Sequence, residues 1–339
     1  MPLPNPKPTE SNNQFIQRCI IDDTMLSEYP DRRQRYAVCV SLSTNKTVLN
    51  KQQKRKIAKE FEKQVRLAMK KNYPIAYQFY IKGYEKAVEM FKVNPNPSNP
   101  NFNKLFTEKE VKEMYKQMYR QTGLRFSLWY RNKFKLFVEK QITEYEADRL
   151  LDRAEAMTNL SPSEQTNLES TIIEGMDRYA DNREGYLALV KEVTAVNGVA
   201  IETLRKVITK LIADEDFMSL GLEQRTTILM KELKFKSRWM ARRIVQTETT
   251  GAANFAISDA ASDLFGEDNL VKNWIAGGRN IRDTHASASS RYQNEPIPVK
   301  DAYQVGGSLL MFPGDTGLGA QASEVVNCKC VSIPFVKID

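Results

Sequence analysis

Residues Ser237 to Gly266, SRWMARRIVQTETTGAANFAISDAASDLFG, mark the point at which the chain changes character. Up to Phe265 the stretch reads as a long helix, and no convincing alternating strand precedes it. Beyond Gly266 glycines and prolines cluster and the apolar residues come in short pieces: Ile297-Pro298-Val299, Leu309 to Phe312 and Val325-Val326. Cys328 to Phe335 is a plausible strand. The fold expected is mainly α, a long helical body followed by a small α+β C-terminal module.

Working back from Ser237, Leu222 to Leu233 and Val199 to Ala213 read as further helices. Ser161, with Pro162 at the first helical position and Glu164 at the third, is a helix start, and Asn182 to Gly185 punctuates this middle helical region. Thr107 followed three residues later by Glu110 is a capping box that opens a long helix running toward Trp129. Asn94 to Pro100 holds three prolines and reads as a loop. Upstream, Ile57, Phe61, Val65, Ala68 and Met69 recur at the helical period, and Tyr73-Pro74 is expected to end that helix before a second one over Ile75 to Phe91, because proline disfavours an α conformation in the residue before it. The expected domains are an extended N-terminal arm over 1–50 with a short cysteine-containing block, a helical body over 51–219, and a C-terminal domain over 220–339.

The chain has 339 residues, 50 Lys and Arg against 42 Asp and Glu, and a formal charge of +8. Its apolar fraction of 41% and aromatic fraction of 9% suffice for a packed core, which excludes an acidic tail or a low-complexity linker. No run approaches the ~18 apolar residues of a membrane span, and the start MPLPNPKPTESNNQF is not read as a secretory signal. Charge is unevenly spread: residues 51–140 carry 22 basic and 8 acidic side chains, and residues 141–219 carry 8 and 16. Within the basic block, Lys51, Lys54, Arg55, Lys56, Lys59, Lys63, Arg66, Lys70 and Lys71 could neutralise phosphates of DNA or meet an acidic partner. Tyr73, Tyr77, Phe79, Tyr80, Tyr84, Tyr115, Tyr119, Trp129 and Tyr130 interleave with further cations, which suits stacking on bases. The competing reading is a solvated helix face over an aromatic core, with the acidic block as a partner inside the chain or between subunits.

His285 is the only histidine, which removes most histidine-based metal and triad sites. If Cys328 and Cys330 lie on a strand, residues two apart share a face, and with His285 they offer three ligands to zinc, with Asp283 or water as a fourth. The alternative is a hydrogen-bonded structural histidine beside two buried cysteines. Zinc is the one cofactor the residues suggest. The chain has no H-E-x-x-H, no P-loop and no activated serine or cysteine elbow. An enzyme would have to rest on His285 as a base with Asp283 or Glu248, or on a zinc-bound water.

Five short motifs stand in order: Ile244-Val245-Gln246-Thr247-Glu248 on the long helix, Trp274, Arg282-Asp283-Thr284-His285, Pro313-Gly314-Asp315, and Asn327-Cys328-Lys329-Cys330. Over roughly the last 100 residues the chain therefore resembles the phage Mu protein F-like family of minor head proteins, also called head morphogenesis proteins. Lys329 stands where that family more often has arginine, and Gly277-Gly278-Arg279-Asn280 where an aspartate often precedes the R-x-x-H arginine. The block Phe15-Ile16-Gln17-Arg18-Cys19, with Gln34-Arg35-Tyr36-Ala37-Val38-Cys39, is similar to a segment of phage head-module proteins. Cys19 and Cys39 could form a local disulfide or half a metal site. Reduced thiols in a small folded plug are expected for a particle assembled in the cytoplasm. The resemblance implies a non-enzymatic component of the virion, inside the capsid at the portal vertex and assembled in the host cytoplasm. Its partners would be the portal, scaffold or major capsid protein and the DNA packaged or ejected. The alternatives are a zinc-dependent or His285-based hydrolase and a non-specific DNA-binding protein.

Overall fold

The computed structural model describes residues 4, 12–32, 35–36, 38–39, 51–133, 160–185, 188–278 and 280–336, with the side chains of 12–13, 51–54 and 182–197 outside that description. The proline-rich start of the arm, the end of the basic block at 134–140 and the first part of the acidic block at 141–159 lie outside these residues. What is described is mainly helical with a small C-terminal α+β module.

The cysteine-containing block is folded, with α1 (Asn12–Ile20) and α2 (Asp23–Glu28) followed by Cys39, which forms a disulfide with Cys19 of α1; the extended reading of the rest of 1–50 falls almost wholly outside the described residues. The Asp22 carboxylate accepts the Thr24 N–H at 3.0 Å to start α2. Arg35 donates to the carbonyls of Tyr29 and Pro30, at 2.7 and 3.1 Å. Folding back brings the two Cα atoms to 5.7 Å, within disulfide reach, so the reduced-thiol and half-metal-site expectations are both replaced. Phe15, Cys19, Met25 and Cys39 form a core of their own.

The body is built on α3 (Lys51–Val93), α4 (Glu108–Arg131) and α8 (Leu222–Phe265), with α8 packed against both of the others. Two expected breaks are absent. Pro74 lies inside α3 instead of ending it. A proline inside a helix costs about 3 kcal/mol, but each apolar side chain buried on either side of it returns about 1.5–3 kcal/mol. Phe61, Val65 and Ala68 before Pro74 and Ala76, Tyr80 and Tyr84 after it all face one core, while Pro74 itself is exposed. Asn72 adds a polar tie, its amide donating to Thr122 on α4 at 2.9 Å and to Thr249 on α8 at 3.0 Å. Likewise Leu222–Leu233 and Ser237–Phe265 are one helix of 44 residues, closed by Gly266 at φ +77°. The two capped starts occur as read: Thr107 and Glu110 exchange bonds at 3.0 and 3.3 Å, and Ser161 and Glu164 at 2.8 and 3.4 Å.

Helices α5 (Pro162–Gly185) and α6 (Ala188–Ile212) cover the body, and α7 (Glu215–Ser219) leads into α8. Acidic α5 meets basic α4 within the chain: Arg120 holds Asp177 through two bonds at 2.7 and 2.8 Å, and Lys112 and Lys116 reach Asp181 at 3.2 and 2.8 Å.

The module begins with β1 (Leu270–Ile275), which runs antiparallel between β2 (Ile297–Pro298) and β5 (Val331–Val336). Helix α9 (Asp283–Asn294) packs on β1, a hairpin joins β3 (Tyr303–Val305) to β4 (Ser308–Leu310), and α10 (Ala322–Val325) precedes the cysteines. Every residue of β5 is buried, and Ile333 and Phe335 belong to the same core as the helical body. Tyr130 of α4 donates its hydroxyl to the Pro334 carbonyl at 2.9 Å. The other side of the sheet carries Trp274, Tyr292, Tyr303 and both remaining cysteines in a second core.

Candidate metal centre

Three elements deliver the cluster. His285 sits in the first turn of α9, whose preceding residue Arg282 donates its guanidinium to the Val326 carbonyl and so fixes the loop after α10. In that loop Asn327 turns the chain at φ 58°, and Cys328 donates its N–H back to Val325 at 3.1 Å. The cysteines thus precede β5 instead of lying on it, so the shared-face argument from strand alternation does not apply. The turn brings them together by another route. His285 Nδ1 lies 3.3 Å from Cys330 Sγ and 3.7 Å from Cys328 Sγ, and all three are buried.

These distances fit an ion. With Zn–S near 2.3 Å and Zn–N near 2.05 Å at tetrahedral angles, the N···S edge should be about 3.6 Å, between the two values found. The ligand atoms all lie within 4.8 Å of one another, so the cluster could hold a metal. On its other side His285 Nε2 lies 3.0 Å from Glu324 Oε2, a carboxylate that would keep the ring proton on Nε2 when Nδ1 takes an ion. Thr284 holds the same oxygen at 2.8 Å, and the Trp274 ring meets the imidazole edge-on at a centroid distance of 5.5 Å. The Cys328 thiol, then the His285 imidazole and the Gly277 N–H, hold Cys330 well below the ordinary thiol value against the effect of burial. Cys328 is pushed up, first by donating to Cys330 and then by burial. One cysteine is therefore poised as thiolate, the form that binds metal.

Asp283 does not join the cluster. It is exposed, because residues two apart on a helix point about 200° apart. The carboxylate beside the imidazole is Glu324, which the sequence reading did not single out. An acidic residue directly before Val325-Val326 and four residues before Cys328 was the available signal.

The other motif residues brace this loop. Asn254 of α8, one turn beyond Thr250, donates to the carbonyls of Pro313 at 3.0 Å and Cys330 at 3.2 Å, and accepts the Ser332 N–H at 2.8 Å. Thr247 accepts the Asn327 N–H at 3.4 Å. Gly314 (φ +86°) packs its backbone on Gly251, and Asp315 closes its turn by accepting from Met311 and Gly317 at 2.8 and 2.7 Å. Glu248 faces the body, where the Tyr119 hydroxyl donates to it.

Of the basic residues on α3, Arg55, Lys59, Lys63, Arg66, Lys70 and Lys71 are exposed or half-buried, as is Lys56, and the side chains of Lys51 and Lys54 lie outside the described residues. Tyr80, Tyr84, Tyr115, Tyr119, Trp129 and Tyr130 are buried in the body, so they pack the core instead of offering stacking faces. No helix of the described residues is long and apolar enough to cross a membrane. Comparison of the chain with family models, with curated sequences and with solved structures finds no match.

Proposed function

We propose that the chain is a minor head protein of a tailed phage, a docking protein without a catalytic step of its own. It would sit inside the capsid at the portal vertex and contact the portal, scaffold or major capsid protein and the packaged DNA. The observation that carries the reading is the convergence of the five motif segments. Thr247, Trp274, Arg282, His285, Pro313, Gly314, Asn327, Cys328 and Cys330 come together around the Asn254 amide and the imidazole, although some 80 residues separate the first from the last. Shared motifs with one joint structural purpose are what membership of the resembled family would produce. The ion proposed for the cluster is zinc, since two thiolates and an imidazole at tetrahedral spacing suit it. There it would tie α9 to the cysteine loop.

A docking role also needs a surface. On α8, Phe235 and Trp239 are 65% and 57% exposed, one turn apart, with Lys206, Lys210, Lys236 and Arg243 around them. Exposed aromatics ringed by cations are typical anchors of a protein interface. Co-expression with the portal protein encoded nearby, followed by sedimentation and native mass spectrometry, should give a discrete complex with a few copies per ring. The Phe235→Ala/Trp239→Ala variant, folded as judged by circular dichroism, should weaken it at least tenfold. Separate sedimentation of the two wild-type proteins at low and high salt alike would overturn the portal reading.

A further inference from the structure

His285, Cys328 and Cys330 supply three ligands, whereas a closed structural zinc site has four. Glu324 is turned to the far side of the imidazole, and no further His, Cys, Asp or Glu joins the group among the described residues. The three ligands line a cleft of about 580 Å³ between α3 and the module, open to solvent. Its walls carry Arg66, Arg282 and Lys329, with Asn280 and Asn327 as amide donors. The lining carboxylate is Glu62, 3.9 Å from Arg66. Among the described residues the pocket has three cations against one carboxylate and little apolar wall, which suits a compact oxyanion better than an apolar or cationic ligand.

We infer that the cleft binds phosphate, with a phosphate oxygen completing the coordination of the ion held by His285, Cys328 and Cys330. The inference rests on the zinc reading of the cluster and adds the ligand class. Arg66 also ties the cleft to a longer feature. Lys59, Lys63, Arg66 and Lys70 fall at successive spacings of four, three and four, which places them on one stripe along the solvent side of α3. A phosphodiester chain lying along that stripe would deliver one of its phosphates to the cleft, whereas free phosphate would use the cleft alone.

The test uses the full chain loaded with Co²⁺ in place of zinc, read by its thiolate-to-cobalt charge-transfer and ligand-field bands. Titration with inorganic phosphate should shift the ligand-field bands. Arg66→Ala and Lys329→Ala, both at exposed positions, should each weaken that shift about tenfold or more, with the charge-transfer band unchanged. A short thymidine oligonucleotide that gives the same shift at lower concentration, with a steep salt dependence, identifies the phosphodiester as the source. A shift with phosphate alone identifies free phosphate. Absence of the charge-transfer band overturns the metal reading and this inference with it. A normal band whose ligand-field spectrum neither ligand moves overturns this inference alone, as does a shift indifferent to both substitutions.

Discussion

Gly251 shows how a residue's neighbours can reverse its local preference. In the middle of a helix glycine costs up to about 1 kcal/mol relative to alanine, so replacement should stabilise. Here a Cβ would come within 2.9 Å of the Gly314 carbonyl oxygen, a backbone atom held by the turn that Asp315 closes. Gly251→Ala is therefore expected to lose roughly 2 kcal/mol or more, measured by urea unfolding, and a stabilised variant would refute the close approach. Lys272 offers a second test. It is buried, with its ammonium on the Met311 carbonyl at 2.7 Å and over the Tyr303 ring, and burial brings its pKa from 10.5 down to about 8. Between those values the folded chain binds fewer protons than the unfolded one, so stability rises with pH across that window and the gain is absent below it. The rise should amount to about 3 kcal/mol in the wild type and vanish in Lys272→Met. Equal pH profiles for the two proteins would show the lysine to be charged throughout. At this scale the cluster was legible because His285 and the cysteines are scarce residue types. Glu324 was not, because its role depends on α10 approaching α9, and Asp283 was misplaced because neighbours on a helix diverge.

Among the elements, the helix starts at Thr107 and Ser161 were readable because a capping box is decided by four consecutive residues. The continuity of α3 and α8 was not, since burial against each other and α4 decides it. Pro74 should therefore be dispensable to α3 and a burden on it. It is exposed, it leaves one carbonyl of the preceding turn without its usual donor, and the packing on either side already fixes the axis. Pro74→Ala is expected to raise stability by roughly 1–3 kcal/mol, seen as a higher denaturation midpoint at unchanged helicity. A lower midpoint would mean that the helix needs the proline's local geometry. The cysteine strand shows the converse error: Cys328 to Phe335 has the composition of a strand, but the bond from Arg282 to Val326 and the turn at Asn327 delay β5 until Val331.

For the whole molecule, the change of character at Gly266 located the module, because glycine, proline and short apolar runs are a compositional signal. The charge blocks were visible too, and part of their meaning is internal: Arg120, Lys112 and Lys116 of α4 spend their charge on Asp177 and Asp181 of α5. Hidden from the sequence was how far the module shares its interior with the body, through Ile333, Phe335 and the bond from Tyr130 to Pro334. That sharing has a consequence for synthesis. Helix α3 leaves the ribosome well before α8, and both leave before β5, yet all three line one interior. At about 5–20 residues per second, α3 waits on the order of ten seconds or more for α8 and β5, with the part of its apolar face that they cover left open. A nascent chain stalled ahead of Val331 would thus be a target for chaperones that grip exposed aromatic surface.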